Sequence, residues 1–301
     1  MASRTNETNI CPFNDILDLL DQGASLFRAK KYMKARSAFT QALAINKAML
    51  VSEIRGDFDY FQGCNLERPH GGISSSSFPT PSSRCSGQEF LNYAVTRSTN
   101  VGALNNAEIN DDDFCTWQVD QHTSAYPFLL VVQSCSELFE LFQHIPSRDT
   151  QLTFSFIIVF NMAVSQHLYS LDQIKEGCSF STRRALLNKA FLLYKHSEAL
   201  LHQLQLYEGS SCIVFLSLVI FNNEAQVLLT MGEHQEEASS LLHGILSFLC
   251  CLQLYNRQGM IIEDLAPVIL RPALLELFVH NTSCMILKEV ITAPAAWWAP
   301  V

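Results

Sequence analysis

The chain has 301 residues, 48% of them apolar and 16% charged, with a formal net charge of -9. An acidic balance argues against nucleic acid or an anionic membrane as the main partner, since both reward clustered Lys and Arg. The charged share falls below the rough quarter of an average globular chain, so the apolar excess is assigned to a thick helical core, the alternative being a face that covers a partner or another copy.

Met1 to Asn9 is polar and the next apolar stretch is short and acidic, so no secretory signal is expected. The first element is a helical hairpin over 14–49. Gly23 supplies a close contact on its first helix. Ala35 and Ala42 lie seven residues apart on one face of the second, and Phe39 fills the gap between the helices from that same face. Ala29, Lys30 and Lys31 form the turn before Tyr32. The ladder Gly23, Tyr32, Ala35, Phe39, Ala42 resembles one tetratricopeptide (TPR) unit, with Leu19 in the usual aromatic place and Lys47 in place of the closing proline. The alternative is any amphipathic helical hairpin. Arg28, Lys30, Lys31, Lys34 and Arg36 form a basic cluster, either a solvated helix face or a receptor for an acidic peptide or for the chain's own Asp111 to Asp113.

Residues 50–148 read as an insert. Arg68 to Gly87, with Ser74 to Ser77, Pro79 and Pro81, is too poor in apolar residues to order itself. Glu89 to Thr96, Phe114 to Val119 and Pro127 to Val132 suit short strands.

Helical signals return over 149–301. Asp149 or Thr150 caps a helix to about Tyr169, and Ser181 or Thr182 caps the next, to about Leu206, after a turn through Leu171 to Ser179. Gly209 breaks the chain, a helix runs from Ser210 or Ser211 to Thr230, and another follows Gly232 to about Leu254. Pro272 or Ala273 opens a further helix to Phe278, and Trp297 and Trp298 are read as a cap on the last helix or an anchor for a partner. The runs Phe154 to Phe160 and Ile213 to Phe221 fall below the ~20 residues of a membrane span and are assigned to the core.

The ladder recurs in this part. Ala190, Tyr194 and Ser197 stand where Ala35, Phe39 and Ala42 stood, and Ala238, Leu242 and Ile245 stand there again. Three units are about the minimum for a stable stack. The fold class expected is therefore mostly α: a TPR-type solenoid of helical hairpins with a partly β, partly disordered insert. The strings from Phe160 to His167 and from Phe221 to Ala225, with Ala293 to Ala296, are similar to a group of uncharacterised TPR-like proteins of microalgae over about Thr150 to Ala296. That resemblance implies a fold and an interaction role, with no activity attached.

In a TPR groove the residues to single out are Asn161 and Asn223, two before the small Ala163 and Ala225 on the first helices of their hairpins. An amide there can donate to and accept from the main chain of an extended ligand; the alternative is a hydrogen bond between neighbouring helices. An enzyme would have to use His122 with Asp120 and the Asp111 to Asp113 run, or His167 beside the turn, as acid and base. No phosphate loop, nucleophile elbow or metal-ligand spacing accompanies them, and His196 and His202 do not share a helix face. No catalytic residue, cofactor or metal is expected. The ten cysteines form no Cys-x-x-Cys pair, and Cys212 and Cys250 sit in apolar runs where thiols behave as small hydrophobes, which points to a reducing, cytoplasmic or nuclear compartment. The function expected is a non-catalytic scaffold for a peptide or protein partner, with self-assembly as the alternative.

Overall fold

The computed structural model describes residues 12–55, 99–100, 128–129, 148–204, 211–232 and 234–257, with 279, 282, 283 and 285. Six helices are bounded among them: α1 (Pro12–Arg28), α2 (Tyr32–Arg55), α3 (Arg148–Lys175), α4 (Phe180–Gln203), α5 (Ser211–Met231) and α6 (Gln235–Arg257). A two-residue antiparallel pair joins β1 (Thr99–Asn100) to β2 (Phe128–Leu129), with Thr99 opposite Leu129. The loop 68–87, the strands expected at 89–96 and 114–119, the acidic run 111–113, His122, the helix from Pro272 and the tail tryptophans lie outside the described residues.

Each helix end has a local cause. α1 stops because Lys30 adopts a left-handed φ of 57°, letting Lys31 N–H reach the Leu26 carbonyl at 2.9 Å and Lys30 N–H that of Phe27 at 2.9 Å. The same paired bonds end α3 at Gly177, φ 84°, through Cys178 N–H to Gln173 and Gly177 N–H to Ile174. Glycine is suited to that position because it has no Cβ to clash. α4 starts at a true N-cap, the Ser179 hydroxyl accepting from Thr182 N–H at 3.2 Å. The expected cap at Ser181 or Thr182 is thus corrected. α3 also runs on to Lys175, so the turn is confined to Glu176–Ser179 and His167 lies well inside the helix. α2 extends to Arg55, beyond the expected hairpin boundary.

Each helix packs chiefly on its neighbours in sequence, α1 on α2, α2 on α3, α3 on α4, α4 on α5 and α5 on α6, while β2 touches α3. Phe13 of α1 meets Phe154 of α3 edge-on, with ring centroids 5.0 Å apart. One core follows these contacts from Phe13 to Leu249, and a smaller cluster joins Ala225, Leu242 and Met285. All nine ladder residues are 0% exposed: Ala35, Phe39 and Ala42 on α2, Ala190, Tyr194 and Ser197 on α4, and Ala238, Leu242 and Ile245 on α6. Burying one Phe or Leu of this kind contributes roughly 1.5–3 kcal/mol.

α3 is the central helix. Phe154, Phe156, Ile157, Ile158 and Phe160 are all 0% exposed, so successive residues on every side are covered. Thr150–Lys175 is long and apolar enough by composition to cross a membrane, with a mean hydropathy of 1.3 over its best window. Yet 83% of that window is buried within the protein, as in a core helix. Cys250 departs from expectation: it is exposed, as is Cys251, because Leu249 takes the inward place at that level of α6.

Candidate functional site

His167 of α3 and Asn223 of α5 meet at a buried seam organised by Tyr194 of α4. A tyrosine at that ladder position brings a hydroxyl into the core, and a buried hydroxyl requires a partner. The ring packs against Phe160 at 5.8 Å and stands at 87° to the His167 ring at 6.1 Å. Its hydroxyl lies 3.4 Å from His167 Nδ1 and is bonded by the Asn223 side chain. Asn222 Nδ2 in turn donates to Asn223 Oδ1 at 3.1 Å.

This leaves Asn223 0% exposed and tied between α5 and α4, and Asn161 2% exposed on α3. Neither amide is open to solvent. For Asn223 the structure supplies the interhelical hydrogen bond that the sequence leaves as the alternative to a groove contact. His167 is 0% exposed, and burial pulls its pKa down to about 3, so it is neutral at physiological pH. With Nδ1 facing the Tyr194 hydroxyl, the natural tautomer carries its proton on Nε2, which has no hydrogen-bond partner among the described residues. Burial also raises the Tyr194 pKa, the Asn223 bond offsetting part of that rise. A neutral, enclosed imidazole cannot serve as an accessible acid or base.

One residue on, the Glu224 side chain is also 0% exposed. Its Oε2 accepts from Lys195 Nζ of α4 at 3.1 Å, and Lys195 donates equally to Glu198 at 3.1 Å. Burial raises the Glu224 pKa to about 7, against the lowering effect of Lys195. Burial opposes the charge on Lys195, but Glu224 and Glu198 outweigh it and raise its pKa. Glu224 Oε1 has no partner among the described residues, so the pair joins α4 to α5 at a desolvation cost that offsets much of its attraction.

A second seam joins α2 to α3. Asn46 Nδ2, on a residue 1% exposed, donates to the Gln151 carbonyl at 2.8 Å and to Ser155 Oγ at 2.9 Å. Arg36 donates to the Gln166 side chain, which reaches Ser170 Oγ and the Leu186 carbonyl of α4, both at 3.3 Å. Arg36 therefore leaves the basic cluster, while Arg28, Lys30, Lys31 and Lys34 stay exposed.

Sequence reasoning missed Glu224, Lys195, Asn46 and Gln166. The legible signal was Glu224 in the apolar run from Ile213 to Leu229, where a carboxylate needs a cation from another element. Among the described residues no group of three His, Cys, Asp or Glu side chains is placed to hold a metal ion. The seams tie α2 to α3 and tie α4 to both α3 and α5. Comparison with protein-family models, with curated proteins and with solved structures finds no match to the chain.

Proposed function

We propose that the chain is a TPR-type α-solenoid, interrupted between α2 and α3 by a partly β insert, and that it acts in the cytoplasm as a non-catalytic scaffold for a peptide or protein partner. The observation that carries this reading is the ladder. The same spacing of i, i+4 and i+7 recurs on α2, α4 and α6, and all nine of its residues are fully buried. Packing of each helix on its sequence neighbours is what a stack of hairpins requires. The enclosed, neutral His167 favours a structural over a catalytic role for the most buried imidazole described.

The groove reading assigns Asn161 and Asn223 to partner binding. Because both are buried, a partner contacts them only after displacing whatever lies over them, and its first contacts fall on the surface around α3 and α5. The test is capture of partners by the intact chain from its source cell, followed by hydrogen-exchange mapping of the purified complex. New protection on α3 and α5, lost in an Asn161→Ala, Asn223→Leu variant whose helicity is unchanged, supports the groove. A saturable partner that protects only other elements removes Asn161 and Asn223 from the binding site, and the absence of any saturable partner removes the scaffold reading.

A further inference from the structure

The second helices of the three hairpins differ in what they show to solvent. α2 exposes Lys34 and Lys47, and α4 exposes Arg184 and Lys189, the ordinary charged dressing of an outer face. α6 exposes Gly244, Ser247, Cys250, Cys251 and Leu254 and carries no Asp, Glu, Lys or Arg from Ala238 to Asn256. Leu254 is 57% exposed, and among the described residues nothing lies within 4 Å of where a Cβ at Gly244 would stand. His243, at the edge of the face, turns Nδ1 back to the Ser239 carbonyl of its own helix at 2.8 Å.

We propose that this uncharged face of α6 is a self-association surface on which α6 of a second copy docks antiparallel about a two-fold axis. The spacing is self-complementary about position 249: Leu254 of one copy falls opposite Gly244 of the other, and Cys251 opposite Ser247, each contact occurring twice. In an isologous contact residue i meets j while j meets i, and a large side chain against a glycine lets two helices close. Charge sets the direction. α6 carries Glu236 and Glu237 in its first turn, so parallel docking sets these carboxylates against their own copies, whereas antiparallel docking holds the two pairs apart at opposite ends. A neutral face on a chain of net charge -9 also offers a strongly charged partner little, whereas a second neutral face fits it. The proposal needs only α6 and its exposure, and stands apart from the repeat assignment.

From Gly244 to Leu254 the contact spans about 15 Å of helix, which is small for an interface, so association is reversible. Sedimentation velocity of the full chain under reducing conditions, from about 1 to about 100 µM, reads it directly. The expected result is a concentration-dependent monomer–dimer equilibrium. Gly244→Arg and, separately, Leu254→Lys weaken it at least about tenfold, one unpaired charge per copy being enough for that. Both positions are open to solvent in the single chain, so neither variant lowers helicity or melting, and Gly244→Arg raises both slightly through helix propensity. A chain that is monomeric throughout overturns the proposal, and the face is then covered by another occupant or left bare. A dimer that neither variant disturbs also overturns it, by placing the contact elsewhere.

Discussion

The ring of Phe39 on α2 lies across the backbone of Gly23 on α1 so closely that a Cβ at 23 would stand 2.3 Å from Phe39 Cε1 and 2.7 Å from Cδ1. This is where the first hairpin closes, and it explains why the residue at 23 has no side chain. Gly23→Ala gains about 1 kcal/mol of helix propensity but must move a fully buried ring or spread the helices, at roughly 1–3 kcal/mol. Net destabilisation is therefore expected in urea unfolding, with part of the loss recovered when Phe39→Leu is added. An alanine at 23 that leaves the midpoint unmoved would show that the helices are not in contact there.

Gly244 is the control. Its Cβ position is open, so Gly244→Ala should stabilise by about 0.5–1 kcal/mol through propensity alone. A loss of stability in the same urea experiment would contradict the exposure of that face.

Tyr194→Phe keeps the ring and removes the hydroxyl that joins His167 to Asn223. The groups left behind are buried, so the expected cost is about 1–3 kcal/mol. A cost near zero would mean that the Asn223 amide finds another acceptor, and a Tyr194→Phe, Asn223→Leu double variant measures the coupling.

Two buried groups give the stability opposite dependence on pH. Glu224, raised to about 7 by burial, binds more protons in the native than in the unfolded state between pH 4.5 and 7, so stability falls as pH rises through that window. His167, lowered to about 3 by burial, binds more protons unfolded, so its contribution is present above pH 6.5 and is lost as pH falls. At about 1.36 kcal/mol per unit, the limits are roughly 3 kcal/mol for Glu224 and 5 for His167. Where the windows overlap the slopes cancel, and the stability of the native chain should be nearly flat from about pH 4.5 to 6.5. Glu224→Gln removes one slope and leaves stability rising with pH. Equilibrium unfolding at a series of pH values decides it, and identical profiles for both proteins would count against the enclosure of Glu224.

Cys250 and Cys251 are exposed and free, whereas Cys178 is half-buried. Brief maleimide labelling of the folded chain followed by peptide mapping should modify the first two ahead of Cys178. Equal rates would place α6 in a different rotation.

Much of the helical part is legible in the sequence because it follows from local periodicity. The spacing of Gly23, Ala35, Phe39 and Ala42 selects one face of each helix, and the structure buries that face completely. Ladder triplets at 190, 194, 197 and at 238, 242, 245 are legible for the same reason. Cap and turn positions were less so. Ser179, Ser181 and Thr182 all have hydroxyls able to cap, and their mutual bonds at 2.8 and 3.0 Å show how nearly equivalent they are. Only the path of the chain out of the Gly177 turn selects Ser179. The reading of Cys250 as a small hydrophobe in the core failed because adjacent residues point about 100° apart on a helix, and a continuous apolar run does not say which direction is inward.

What the sequence alone determined is therefore the six described helices, the ladder faces that three of them bury and the acidic, charge-poor character of the chain, since these depend on residues a few places apart. What only the tertiary structure decided is which polar groups share an interface. Asn46 with Gln151 and Ser155, Arg36 with Gln166, Tyr194 with His167 and Asn223, and Lys195 with Glu224 are brought together from different helices. No local pattern encodes such pairs, because each depends on the rotation and stagger of one helix against another, which the packing of the whole core sets.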